Sequence, residues 1–407
     1  MTTEPALDDL PTFPQQRGCP LGLAPEYSRL RTEEPISRVR MPSGEAVWLI
    51  TKYEYVRQIL GDSRVSADRM APGFPVLLAF PNREAMRKVG GKSLNSMNPP
   101  EHTFHRRILI SEFTVKQIRK LRPRIQEIVD ACIDNLLQSD KPVDLVSTLS
   151  MPLPSQLICD LLGVPYGDRE FFEKRTKIML SRKTAAPEKG QTLQELLGYL
   201  HELIARKENE DDGGLICRLI NRYREAGSYE RHTVLTLVAL LLTAGHETTS
   251  NMISLGTVAL LEYPEQLAAV RRDPTLLPTA VEELLRFFTV SADVTGYRAA
   301  LEDIEIGGVT IREGEGIIAL GSAANRDPEV FTEPDKVDVH RGARHHLAFG
   351  FGMHQCLGQN LARVELEIAL GTLFRRVPTL RLAVPLEEVS FKDDASVYGV
   401  HELPVTW

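Results

Sequence analysis

Phe349-Gly350-Phe351-Gly352-Met353-His354-Gln355-Cys356-Leu357-Gly358 is the stretch that decides the reading of this chain. Two glycines and an aromatic residue predict a tight loop. The loop ends at a cysteine that opens a helix, because Leu361, Leu366, Leu370 and Leu373 follow at helical spacing. The N-terminus of a helix carries a partial positive charge that favours a thiolate. Backbone N–H groups of the loop can also point at the sulfur and moderate its charge. A metal-bound thiolate needs that arrangement. The alternative is a buried structural cysteine, the usual fate of a free thiol. A dinucleotide-binding loop is a poor match: the third glycine is absent, with Gln at position 355, and no continuous strand leads into it.

At every defined position the decamer matches F-G-x-G-x-H-x-C-L-G, the haem-binding signature of the cytochrome P450 family. The flanking residues, Ala343 to Ala348 before and Gln359 to Arg363 after, resemble the soluble actinobacterial branch of that family. The resemblance implies a mainly α fold with a minor β region, a single domain over residues 1–407. It implies haem b (iron protoporphyrin IX) between a long central helix and the cysteine loop. Cys356 would be the iron ligand, with Phe349, His354 and Gly358 forming the loop around it. Thiolate ligation favours O–O cleavage.

Three further motifs occur in the family's order. Ala244-Gly245-His246-Glu247-Thr248-Thr249 lies inside a long apolar helix predicted over Arg231–Glu262. Glycine weakens a helix, and threonine can bond back to an earlier carbonyl and bend it. The resemblance makes Ala244 and Gly245 a groove for O₂, with Thr248 bonding the oxygen and Glu247 helping to relay protons from solvent. His246 reads as structural. Glu283-Leu284-Leu285-Arg286 places an acid and a base on one helical face. It resembles the family's buried Glu–Arg pair, completed here by Arg341, and is structural rather than catalytic. His102 and Arg106 share a face at i and i+4. With Arg298 and His354 they fall where the family binds the haem propionates, a task that suits arginine's planar fork.

The rest of the chain bounds the answer. Of 407 residues, 43% are apolar and 25% charged, the balance of an ordinary globular protein. Lys+Arg 48 against Asp+Glu 55 gives a net charge of −7, which argues against non-specific nucleic-acid binding. The five cysteines are scattered and lack a C-x-x-C pair, which fits a reducing compartment. No apolar run is long enough to span a bilayer, and the first residues do not read as a secretory signal. A cytoplasmic protein with no membrane contact is expected. Residues 1–22 read as an irregular arm. Ile36–Met41 and Glu45–Ile50 read as a hairpin across Pro42-Ser43-Gly44, and residues 64–98 as a substrate lid. Helical spacing predicts helices over Val115–Leu137, Ser155–Leu162, Thr192–Lys207, Pro278–Thr289 and Cys356–Arg375. Short strands are predicted at Tyr297–Ala300, Ile304–Ile306, Val309–Ile311, Gly316–Leu320 and in the tail.

The implied activity is that of a haem-thiolate monooxygenase, hydroxylating or epoxidising a lipophilic small molecule such as a secondary metabolite or xenobiotic. The chain shows no flavin or nicotinamide fingerprint, so electrons would come from a ferredoxin and its ferredoxin reductase. Arg107, Lys116, Arg344 and Arg363 fall in segments that the family places near the donor. Candidate substrate-wall residues include Val290–Val294 and the surroundings of Val397-Tyr398, with Arg69 and Arg83 available to a polar substituent. Two other readings stay open at this point: an oxidative coupling enzyme of the same family, and a haem-binding sensor without turnover. The Glu247–Thr248 pair argues against the sensor, which has no need of proton delivery.

Overall fold

The alternation of Ile36–Met41 and Glu45–Ile50 does form a hairpin in the computed structural model of the chain. Its strands are β1 (Ile36–Arg40) and β2 (Ala46–Ile50), with Val39 opposite Val47. Gly44 turns the corner at a φ of 86°, in the left-handed region that glycine enters without a Cβ penalty. The structure describes residues 7–77, 92–210, 212–291 and 295–407. Arg83, residues 78–91 of the expected lid, residues 292–294 of the expected substrate wall and residues 1–6 of the arm lie outside these.

The remaining strands are β3 (Val65–Ser66), β4 (Val143–Asp144), β5 (Tyr297–Ala300), β6 (Ile304–Ile306), β7 (Val309–Ile311), β8 (Gly316–Ala319), β9 (Arg381–Leu382) and β10 (Pro404–Thr406). The residues group into two compact units, neither of them continuous in sequence. The first comprises the chain up to residue 77, Asn95–Asn98 and Glu282–Cys356. The second comprises Pro99–Val281 and Leu357–Trp407.

The first unit is built on the sheet β1-β2-β8-β5-β3, in which β2 and β8 run parallel and the other neighbours antiparallel. Helix Tyr53–Gly61 lays Val56, Ile59 and Leu60 into a core shared with Ile50, Ile317 and Phe331. The arm is irregular but attached: Phe13 is buried, and Arg40 exchanges backbone hydrogen bonds with Pro11 and Phe13.

The second unit is helical, with a small sheet β4-β10-β9. Its central helix, Arg231–Glu262, has 32 residues, about 48 Å at 1.5 Å per residue. It packs against helices Pro152–Leu162, Ala186–Lys207 and Gln359–Arg376. The predicted helices are present, most with ends shifted by a few residues. Helices Pro25–Glu33, Arg169–Leu180, Leu215–Glu225 and Pro264–Arg272 add to them. The expectation that Cys356 opens a helix is corrected: Gly358 is the N-cap and the helix begins at Gln359. The Cys356 backbone is instead committed to closing the loop, donating its N–H to the Phe349 carbonyl at 2.8 Å. Among the described residues, no helix is long and apolar enough to cross a membrane.

Candidate functional site

The cysteine loop belongs to the first unit and owes its shape to its glycines. Gly350 and Gly352 have φ of 69° and 72°. A Cβ at Gly352 would also collide with the Leu60 carbonyl, so no other residue fits there without a shift. Phe351 packs beside Gly61, with the Arg57 guanidinium 4.6 Å from its ring centroid. His354 ends the single turn Gly352–His354 that precedes the cysteine, and Phe349 and His354 are both half-buried. Cys356 is exposed, so the buried structural reading does not hold for it. Cys132, Cys159 and Cys217 are buried. Burial pushes the Cys132 thiol up to about 11 and the Cys159 thiol up to about 12, which keeps both protonated.

The central helix of the second unit is buried along most of its length, yet part of its middle is accessible. Leu240, Leu241, Ala244, Gly245 and Thr248 are exposed or half-exposed, and their spacing of three and four puts them on one face. Thr248 supplies the hydroxyl of this strip and donates it to the Ala244 carbonyl at 2.9 Å. The back-bond expected from the sequence is therefore present, within a continuous helix. Gly245 has a packing role as well: a Cβ there would lie 3.1 Å from Ile158 Cδ1 of helix Pro152–Leu162.

Glu247 does not face solvent. It is 5% exposed, and its Oε1 meets Lys392 Nζ at 2.5 Å. Lys392 also donates to Asn251 Oδ1 at 2.9 Å, and the Asn251 amide donates to Glu247 Oε1 at 3.4 Å. Burial pushes the Glu247 carboxyl up. The charge and hydrogen bond of Lys392, with help from His246 and Asn251, outweigh it and hold the group below its ordinary value. Lys392 and Asn251 escaped the sequence reading. Asn251 was findable, one helical turn beyond Glu247; Lys392, remote in sequence, left no local signal. Glu247 and Thr248 are thus neighbours in sequence with separate surroundings. His246 is buried and bonds the Leu242 carbonyl through Nδ1 at 2.7 Å, consistent with a structural part.

His102 and Arg106 lie on helix Glu101–Ile110, His102 buried and Arg106 half-buried. Burial, with the nearby charge of Arg106, lowers His102 to about 4, so the ring is neutral near pH 7. Arg298, in the first unit, is 6% exposed, and among the described residues its hydrogen-bond acceptors are the carbonyls of Thr295 and Tyr297. Burial alone pushes it down to about 10. A buried guanidinium without a carboxylate calls for an anion, and a haem propionate fits it. An exposed cysteine on a rigid loop fits an iron ligand. The residues present therefore suit a haem group.

The acid and base of E-x-x-R form the pair expected. Arg286 bonds Glu283 through Nε and Nη2, each at 2.8 Å, and Arg341 Nε reaches Glu283 at 3.1 Å. Glu283 and Arg286 are fully buried, and Arg286 also donates to the Asn325 and Pro334 carbonyls. Every strong donor is matched, as a buried charge requires.

Comparison with known proteins agrees. The profile of the family described as Cytochrome P450 matches residues 170–380. The chain is 47% identical to a vitamin D3 dihydroxylase of Streptomyces griseolus, over 100% of this chain and 99% of that one. It is 48% identical to a pentalenic acid synthase of Streptomyces avermitilis, over 97% of each. Among solved structures, cytochrome P450 MoxA of Nonomuraea recticatena (CYP105) is 51% identical with a TM-score of 0.89, covering 97% of this chain and 98% of that one. On these likenesses the chain belongs to the cytochrome P450 family.

Proposed function

We propose that the protein is a haem-thiolate monooxygenase that hydroxylates or epoxidises a lipophilic small molecule, with electrons from a ferredoxin and its reductase. The observation that carries this reading is the exposed Cys356 at the end of a loop fixed by two left-handed glycines. Cys356 would ligate the iron of haem b, and His102, Arg106, Arg298 and His354 would hold its propionates. When bound, the group supplies activation of O₂, one atom of which enters the substrate.

The chain's own residues do the rest. The accessible strip at Ala244 and Gly245 leaves room for a small molecule beside the central helix, and Thr248 offers the one hydroxyl on that strip. Glu247 holds a carboxylate one residue away, in a pocket from which water is largely excluded. The relatives named for vitamin D3 and pentalenic acid support a lipophilic substrate. The absence of a spanning helix among the described residues, with the scattered cysteines, supports a cytoplasmic site. The chain passes repeatedly between the two units, and helix Leu277–Phe288 contributes to both, which supports one domain over residues 1–407.

The test is spectroscopic. The reduced protein with carbon monoxide is expected to show the red-shifted band of a haem-thiolate, and Cys356→Ala to lose it. Variants of Cys19, Cys132, Cys159 and Cys217 should keep it. A band that survives Cys356→Ala would overturn the assignment.

A further inference from the structure

Glu247 and Lys392 are both almost wholly buried, at 5% and 6% exposed. A carboxylate and an ammonium remain charged in such a place only when each compensates the other. Asn251 closes the pair on a third side, accepting from Lys392 and donating to Glu247. The backbone is fitted to the same point. Lys392 donates its own N–H to the Gly399 carbonyl at 2.8 Å, and any side chain at Gly399 would collide with the Asn251 carboxamide. The stretch that carries Lys392 is fastened at its other end to the turn that follows helix Arg169–Leu180. There Arg182 N–H donates to the Asp394 carbonyl at 2.6 Å and Ser396 N–H to the Leu180 carbonyl at 3.0 Å. Lys183 pairs with Asp394 at 3.0 Å. A short strap, residues 392–396, thus holds one cation against one buried acid.

We propose that Lys392 is a positioning residue for Glu247: carried on this strap, it keeps the carboxylate ionised and turned into the core until a proton is to be passed on. This rests on the reading of Glu247 as a proton relay. The proton transfer balances simply. A hydronium ion from bulk water gives up a proton as the O–H bond of the Glu247 carboxyl forms, leaving water, and Lys392 stays an ammonium throughout.

Other charged groups do not substitute for Lys392. His246 and Asn251 act on Glu247 in the same direction as Lys392, and more weakly. Helix Gln359–Arg376 brings Glu365, which burial holds neutral. Helix Pro152–Leu162 brings Cys159, a protonated thiol. Helix Ala186–Lys207 brings Lys189, buried and pushed down. Arg169 and Glu173 of helix Arg169–Leu180 line a small cavity beside His246. Removing the Lys392 charge would leave the burial of Glu247 largely unopposed.

The experiment compares the wild-type holoenzyme with K392M, K392R, E247Q and K392M/E247Q, with K392Q in reserve should K392M fail to accumulate folded. An infrared titration from mildly acid to mildly alkaline pH reads protonated carboxyl groups directly. K392M is expected to gain a protonated-carboxyl band at neutral pH that the wild type lacks and that K392M/E247Q loses. K392R, which keeps the charge, should resemble the wild type. Product formed per NAD(P)H consumed should acquire a pH step in K392M where the wild type is flat. An infrared trace for K392M equal to that of the wild type overturns the proposal. A wild type without the carbon monoxide band would instead sink the haem-thiolate reading, and unchanged product yield in E247Q would sink the relay. The infrared comparison still decides the role of Lys392 in either case.

Discussion

Glu365, on helix Gln359–Arg376, is 2% exposed, and among the described residues its Oε2 has no hydrogen-bond partner. Burial raises its carboxyl well above the ordinary value, so the native chain holds a proton there that the unfolded chain releases. Between the unfolded and the native value, the native state binds more protons, and stability falls as pH rises. The limiting slope is about 1.4 kcal/mol per pH unit. Glu365→Gln keeps the shape without the titration. Its melting midpoint is expected to exceed that of the wild type at mildly alkaline pH and to match it more closely near pH 5, which a thermal series across pH checks. Thr248 gives the second prediction at this scale. Thr248→Ala removes the strip hydroxyl and leaves the Glu247–Lys392 pair untouched. Haem and substrate binding should persist while product per NAD(P)H falls about tenfold or more, with peroxide taking up the difference. Unchanged coupling in a reconstituted system would reduce Thr248 to a residue that caps its own helix turn.

At the scale of elements, two devices hold the cysteine loop and its surroundings. One is steric. Gly352→Ala would place a Cβ against the Leu60 carbonyl at a φ of 72°. Backbone strain of this kind costs about 1–3 kcal/mol, so a lower melting midpoint and faster haem loss are expected, with haem release to an acceptor protein as the measurement. The other is ionic. Glu283, Arg286 and Arg341 tie helix Leu277–Phe288 to the segment that precedes the loop. Breaking a buried pair leaves a charge uncompensated, at about 3–5 kcal/mol. Glu283→Gln should therefore destabilise far more than removal of the exposed pair Arg29–Glu33, whose charges solvent screens. Denaturant midpoints of the two variants compare them.

For the whole molecule, the net charge of −7 is no guide to its local fields. Residues 106–124 carry Arg107, Lys116, Arg119, Lys120 and Arg122, all of them exposed. An acidic ferredoxin would be steered by such a surface, and salt would screen it over about 8–10 Å. Arg107→Glu is expected to slow haem reduction by ferredoxin and to flatten its salt dependence, without changing substrate affinity. Stopped-flow reduction across a salt series measures both. Arg363 is a weaker probe than the sequence implied, because its guanidinium is engaged by Gln359 of its own helix at 3.0 Å. Coincident rates and salt slopes for wild type and Arg107→Glu would place the donor elsewhere.

Features that depend on neighbours in sequence were legible from the sequence. The glycines of the cysteine loop, the spacing of Glu283 and Arg286, the shared face of His102 and Arg106, and the length of the central helix are all local, set by backbone geometry within a few residues. Arg341 came from the family resemblance, in which a second arginine completes the buried pair, and not from any local pattern. Short helices opened by proline, Pro25–Glu33 and Pro264–Arg272, carried too few turns for their period to stand out. The start of helix Gln359–Arg376 was misplaced because the leucine spacing is indifferent to where the first turn begins; a hydrogen bond from Cys356 to Phe349 settles that. The state of Glu247 was beyond any local reading. Its cation lies 145 residues away, on a strap whose position is fixed by packing and by hydrogen bonds to a third segment. Sequence determined which groups the chain carries and which local turns they make. Tertiary structure decided which of them are taken out of water together, because burial alone turns a lysine and a glutamate into a coupled pair.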